Sequence, residues 1–262
     1  MFGKSERRSD YQRTTRPVVA MARTLQRGEV TAQHRHRRAQ LIYAANGVLT
    51  VEAQDGIWVV PPERAVWIPS GKPHGLQAAS RTELHSVYVE PALAAPFPTQ
   101  CAVLEVTALL RALIGEAVTI SSRYAVDSHG ARVMALLLEC IEVKPISALN
   151  LPMPHDPRAL QLATYVRNEP SVAVGLAHWQ HRVAASQRTL ERLFLQETGM
   201  SFGRWRQQAL LLHALELLAV GTPVKNIATT LGYADVAAFS SMFHQTMGTP
   251  PSRYFKSPTL PG

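Results

Sequence analysis

Cysteine is nearly absent: Cys101 and Cys140 are the only two among 262 residues. Two thiols make no disulfide framework, their spacing fits no metal motif, and both read as buried thiols of a reducing compartment. Also missing is any apolar run approaching the ~18 residues that a bilayer span needs. The N-terminus, charged through Arg16, lacks the apolar stretch of a secretory signal. No repeat of solenoid period appears. The expectation from these absences is a cytoplasmic chain with no membrane contact. Charged residues are only 18% against 46% hydrophobic, which excludes a disordered chain and leaves room for two ordinary cores. One sign of charge is in excess, +8 formally, and fits a polyanionic partner. That surplus is not localised: residues 155–262 hold ten Lys/Arg against six Asp/Glu, and residues 1–154 hold seventeen against thirteen. Charge alone therefore argues only weakly for nucleic acid.

What is present changes character along the chain. Residues 1–16 are polar and basic, and read as a mobile tail. From Val18 to Val89, short runs of β-branched and aromatic residues alternate with Gly and Pro. Val18–Leu25, Leu41–Tyr43, Val48–Ala53, Ile57–Val60, Ala65–Ile68 and Leu84–Val89 are predicted strands, with a hairpin signal at Asp55-Gly56. Many strands without intervening helices predict a sandwich or barrel, with Tyr43, Trp58 and Trp67 as core or as ligand platforms. Beyond Pro91–Pro98, Leu104–Ile114 and Ala131–Ile141 have helical spacing. Leu109, Leu110, Leu113, Met134, Leu137 and Leu138 form their apolar face, available for a homodimer or for burial against the barrel. Prolines 145, 152, 154 and 157 mark a semi-rigid linker. After it the pattern is helical over 157–168, 173–182, 186–198, 202–219, 223–230 and 235–247.

The last hundred residues hold two helix-turn-helix patterns joined by one long apolar helix. In the second, Ala228 is small where helices cross, Gly232 suits a turn of positive φ, and Asp235 can cap the next helix. Phe239 and Phe243, four apart, give that helix one inward face. In the first, Ser186 is the cap and Leu190 and Phe194 the inward pair. The outward faces differ. Gln187, Arg188, Glu191 and Arg192 are long and polar, suited to base edges or to solvent. Val236, Ala237, Ser240 and Ser241 are short, suited to thymine methyls, phosphate or solvent.

These residues resemble the AraC/XylS family of bacterial transcription regulators. The match runs Ser186-x-x-Thr189-Leu190-x-Arg192-Leu193-Phe194-x-x-Glu197-x-Gly199, then Ile227-Ala228-x-x-Leu231-Gly232-Tyr233, then Phe239-x-x-x-Phe243, Gly248 and Pro250. It covers about residues 155–256. The chain departs at Gln180, where a small residue is usual, at Ala184, often Gly, and at Leu210, commonly Arg. It departs again at Ala237, often polar, and at Ser241, often Arg. The resemblance implies double-stranded promoter or operator DNA as partner, nucleoid association when bound, and RNA polymerase as a further partner if the protein activates.

A second constellation reads Gly28-x5-His34-x-His36-x3-Gln40-x6-Gly47, followed by Pro69-x-Gly71-x-x-His74. His34, His36 and Gln40 share parity and face one side if their strand is regular. These stretches resemble the two signature motifs of the cupin superfamily, whose metal ligands are three His and a Glu. Here Gln40 replaces that Glu, Glu63 stands where the second motif begins with Gly, and Ala78 where it often ends in Asn. The resemblance implies a site for Ni, Zn or Fe made by His34, His36, Gln40 and His74, or else a barrel lining for an organic effector. His85 and His129 have no comparable spacing and read as packing or surface residues.

Together these features predict an α+β two-domain chain: a mobile basic tail (1–16), a cupin-like β-barrel sensor (17–95), a helical connector with a proline-rich linker (96–154), and an all-α AraC-type DNA-binding domain (155–262). The expected function is sequence-specific transcription regulation controlled by a small molecule or metal held in the barrel. The competing class is a metal-dependent cupin enzyme, a dioxygenase or isomerase, fused to a DNA-binding domain. No acid/base pair beyond the histidines supports it, so no catalytic residue is assigned.

Overall fold

A computed structural model describes residues 8–54, 56–142 and 149–255. The chain divides into two compact units, Met1–Asn150 and Leu151–Gly262. The first contains β1 (Val18–Leu25), β2 (Val30–His34), β3 (Ala39–Asn46), β4 (Leu49–Ala53), β5 (Gly56–Val60), β6 (Arg64–Ile68), β7 (His74–Ala78), β8 (Thr82–Val89) and β9 (Ala102–Glu105), with the two-residue β10 (Asn150–Leu151) at its border. One five-stranded sheet runs β1-β8-β3-β6-β9 and the other β10-β5-β4-β7-β2. Gly47, at φ +73°, makes the β3–β4 turn; a Cβ there would lie 2.5 Å from Thr82 Oγ1 and 2.6 Å from Arg81 O, so no other residue fits. The expected β4–β5 hairpin is present, pairing Ala53 with Gly56, although Asp55 lies outside the described residues.

Alternation along β3 assigns the two faces of the first sheet. Gln40 and Ile42 pair with Tyr88 and Ser86 and share their face. Ala39, Leu41 and Tyr43 belong to a core cluster with Val87, Trp67 and the connector helices α3 (Ala108–Ala117) and α4 (His129–Glu139). The short helix α2 (Pro91–Ala94) lies between β8 and β9. Thr107 and Ser128 cap α3 and α4 by accepting from Leu110 N and Ala131 N. Leu110, Leu113, Met134 and Leu137 are buried in that cluster, at about 1.5–3 kcal/mol for each large side chain fully removed from water. The apolar face predicted for two helices thus serves largely their own sheet, Leu138 is partly buried, and Leu109 is exposed. Trp58, Trp67 and Tyr43 are core.

Residues 8–16, expected as part of the mobile tail, are held against the sandwich. Helix α1 (Arg8–Gln12) buries Tyr11, whose ring centroid lies 6.1 Å from that of Tyr88. Gln12 Oε1 accepts from Arg38 N (3.2 Å), and the buried Arg38 guanidinium donates to Thr14 O (2.8 Å) and Pro17 O (3.0 Å). Burial pulls the pKa of this guanidinium below its usual value, with Glu90 opposing. Residues 1–7, and 143–148 of the expected linker, lie outside the described residues.

The second unit is helical: α5 (Pro157–Asn168), α6 (Leu176–Trp179), α7 (Gln187–Thr198), α8 (Phe202–Ala219), α9 (Val224–Thr230) and α10 (Val236–Met247). It begins four residues before the expected boundary at 155, and the Trp205 indole N–H donates to Pro152 O (2.6 Å) within it. Phe194, Phe202 and Trp205 stack edge to face, with centroids 5.1 and 5.2 Å apart, at the centre of the first helix-turn-helix. Tyr233, Phe239 and Phe243 continue the stacking in the second. Helix α6 is shorter than the 173–182 predicted, because Gly175 starts it without a side-chain cap and the chain leaves it in turns through Ala184. No helix among the described residues is long and apolar enough to cross a membrane.

Candidate nucleic-acid interface and histidine cluster

Each outward-facing helix is fixed by its inward residues and its cap. On α7, Ser186 Oγ accepts from Thr189 N (3.1 Å), Leu190, Leu193 and Phe194 are buried, and Gly199 ends the helix at φ +71°. This leaves Gln187, Arg188 and Arg192 exposed on one face. Glu191 is only half-exposed, and its carboxylate accepts from Phe202 N (3.3 Å) at the start of α8. It caps the next helix, a role the sequence did not distinguish from base contact. Arg192 Nη1 donates to Gln196 Oε1 (2.8 Å), and Leu195 is 58% exposed. Both residues lie one helical step beyond Arg188 and Arg192, and the i+4 and i+7 spacing alone could have drawn attention to them. On α10, Asp235 accepts from Ala238 N (2.7 Å) and Phe239 and Phe243 are buried. Val236, Ala237 and Ser241 are exposed and Ser240 half-exposed.

The two motifs are tied together away from these faces. Val172 N donates to Leu231 O (3.0 Å), linking the loop before α6 to the turn of the second motif. Gly232 makes that turn at φ +76°, where a Cβ would lie 2.8 Å from Ser171 Oγ. From α8, Arg206 donates to Val174 O and lies over the Phe202 ring, 5.7 Å from its centroid. Tyr233 has its pKa raised by burial, with Arg206 opposing. Leu210, where the resembled family commonly has Arg, is buried core.

In the first unit, His34, His36 and His74 present ligand nitrogens within 4.8 Å of one another. Their convergence does not come from one regular strand, as the parity argument assumed. The chain ends β2 at His34 in one sheet and enters β3 at Ala39 in the other, with His36 in the crossing. His74 opens β7 and pairs with His34. Each Nδ1 faces a main-chain carbonyl and must donate to it: His34 to Ala32 O (3.0 Å), His36 to Arg38 O (2.6 Å), His74 to Lys72 O (3.0 Å). A neutral ring in this arrangement has its proton on Nδ1, which makes Nε2 the atom that could ligate a metal. Gln40 Oε1 lies 2.8 Å from His36 Nε2 and 3.2 Å from His74 Nε2, while its amide nitrogen donates to Ser86 Oγ (2.8 Å). Gln40 and His74 are buried, and His34 and His36 half-buried. Ser86 and Tyr88, whose ring stands edge-on to His36 at 5.4 Å, complete the surroundings. Sequence reading missed both, though their alternation in β8 matched that of Gln40. His85 instead contacts Glu83 (3.0 Å) and His129 contacts Glu116 (3.4 Å).

Two helix-turn-helix motifs in one unit, beside a separate β-sandwich, define a DNA-binding transcription regulator with its own ligand-binding domain. Residues 17–141 match the family described as AraC-like ligand binding domain, and residues 179–257 match a helix-turn-helix domain family. The chain is 35% identical over 221 residues to the HTH-type transcriptional regulator NimR of Escherichia coli strain K12, covering 84% of this chain and 81% of that one. It is 29% identical over 103 residues to the HTH-type transcriptional regulator RipA of Corynebacterium glutamicum, covering 39% of this chain and 31% of that one. Among solved structures, ToxT from Vibrio cholerae is 12% identical with a TM-score of 0.39, over 92% of this chain and 98% of that one. That score is too low to bear on mechanism. The chain belongs to the AraC family of transcription regulators. Its relatives are regulators rather than enzymes, so the fused-enzyme alternative is set aside.

Proposed function

We propose that the protein reads an asymmetric, two-part operator, with α7 supplying the sharper half of the recognition and α10 the looser. The observation that carries this is the contrast between the exposed faces: Gln187, Arg188 and Arg192 against Val236, Ala237, Ser240 and Ser241. An arginine fork can contact guanine O6 and N7 together, whereas Val236 and Ala237 offer only van der Waals contact to thymine methyls. Arg192→Ala should therefore cost about 1–3 kcal/mol of discrimination in one half-site, and Ser241→Ala should change little. Binding assays on single-base operator variants read both. Unchanged base preference in Arg192→Ala would remove α7 from the reading role.

The effector site is the histidine cluster, holding a divalent Ni, Zn or Fe ion on His34, His36, His74 and Gln40. Ring nitrogens of His34, His36 and His74 lie within 4.8 Å of one another, Gln40 Oε1 lies 2.8 and 3.2 Å from Nε2 of His36 and His74, and the carbonyls behind each Nδ1 fix ring orientation as they do around bound metals. Such an ion supplies a Lewis-acidic coordination position for a further ligand. Protein purified without chelator should carry about one ion per chain on this tetradentate set, and His36→Ala should lose it by elemental analysis. Failure to load Zn, Ni or Fe(II) would mean that the Gln40 amide is turned over, its NH2 donating to both rings and its oxygen accepting from Ser86. Effector occupancy would bias DNA binding by coupling two sites through one equilibrium. Exposed Leu109, with Leu136 (44% exposed) on the neighbouring helix, is the face left for a homodimer, and an activating role would add RNA polymerase as a partner.

A further inference from the structure

The donor set around the histidine cluster carries no negative charge. An imidazole binds a metal as a neutral ligand, each Nδ1 here faces a main-chain carbonyl, and Gln40 is an amide held in place by Ser86. Among the described residues, the metal-competent cluster contains the three histidines and no Asp, Glu or Cys. A divalent ion there would keep both its charges, beside His74 and Gln40, which are buried from water. The half-buried His34 and His36 mark the side from which a further ligand can approach. A carboxylate at position 40 would have neutralised half of that charge from within the protein, and the amide leaves the task to something exogenous.

We infer that the effector is a small carboxylate-bearing anion, bound through its carboxylate oxygen to the ion and selected because Gln40 leaves the site cationic. The inference rests on the metal reading above, and it assigns Gln40 a selective role: the residue that makes the site accept an anion rather than a neutral ligand.

The test loads the full chain with Co(II), whose visible absorption reports its ligands, and titrates acetate against acetamide. Acetate should change the spectrum saturably and acetamide should not. The Gln40→Glu chain should retain Co(II) but bind acetate about tenfold more weakly or worse, because a fixed carboxylate already occupies the charge-compensating role. Acetate added to chelator-stripped protein should do nothing. A spectrum indifferent to acetate, one equally sensitive to acetamide, or Gln40→Glu binding acetate like the wild type would overturn the inference while leaving the metal site standing. A chain that takes up no Co(II) would remove the metal reading itself, so the two failures are distinguishable. The acetate–acetamide contrast in the wild-type chain does not depend on the variant folding.

Discussion

Ala184 and Glu63 occupy left-handed backbone conformations, at φ +48° and +68°. Both are positions where the resembled motifs often carry glycine, so the departures were legible in the sequence. Their consequence was not, because a non-glycine residue there could equally have meant a turn of different shape. The structure keeps the left-handed turn and holds a Cβ in it, at about 1–2 kcal/mol. Glu63 has compensating contacts, a side-chain ion pair with Arg111 (2.8 Å) and a main-chain carbonyl that accepts from Val106 N (2.9 Å). Ala184 can make no side-chain bond. Ala184→Gly should therefore stabilise the protein by roughly 0.5–1 kcal/mol, the strain relieved less the added freedom of the unfolded chain, read as a raised denaturant midpoint. A lowered midpoint would mean that the alanine methyl has a packing role. The long polar residues of α7 show the other limit of residue-level reading. Arg188 and Glu191 share the exposed periodicity, but only the coordinates separate an exposed side chain from one that caps α8.

Among the elements, strands with continuous apolar runs were readable and the two strands that carry His34 and His74 were not. Helix α3 and strands β1, β4, β5, β6 and β8 follow from β-branched runs, caps and helical spacing. Strand β2 has one buried residue in five, as an edge strand can, and β7 carries His74, Gly75 and Gln77. Neither has the composition of a strand, yet together they bring His34 to His74. Strand β9 takes Leu104 into the sheet, and the helix expected from that residue starts at Ala108, after Thr107. In the second unit, Arg206 and the 171–174 loop link α8 to the turn at Leu231, and we expect this link to hold the separation of α7 and α10. Arg206→Ala should keep the fold but loosen this separation. The wild-type chain should lose affinity when one base pair is added or removed between half-sites, and the variant should lose much less on the same pair of sites. Equal penalties in both proteins would assign the spacing to α8 alone.

At the scale of the whole molecule, two units were legible from composition: alternating strand runs, a proline-rich stretch, then uninterrupted helical periodicity. The point of division was less so, because Pro152 looks like linker in sequence and is a hydrogen-bond acceptor of Trp205 in the structure. The match to the ligand-binding family lies within Met1–Asn150 and the helix-turn-helix match within Leu151–Gly262. On the proposed function, one chain carries two unlike reading helices for two adjacent major grooves. Selection of binding sequences from a random duplex pool by the purified full chain tests it most directly. The expected result is a non-palindromic motif whose halves lie about 10 base pairs apart, centre to centre, with a sharp, guanine-containing half and a tolerant, A/T-leaning half. A motif with two equally sharp halves, or with a single half and no preference one turn away, would contradict it.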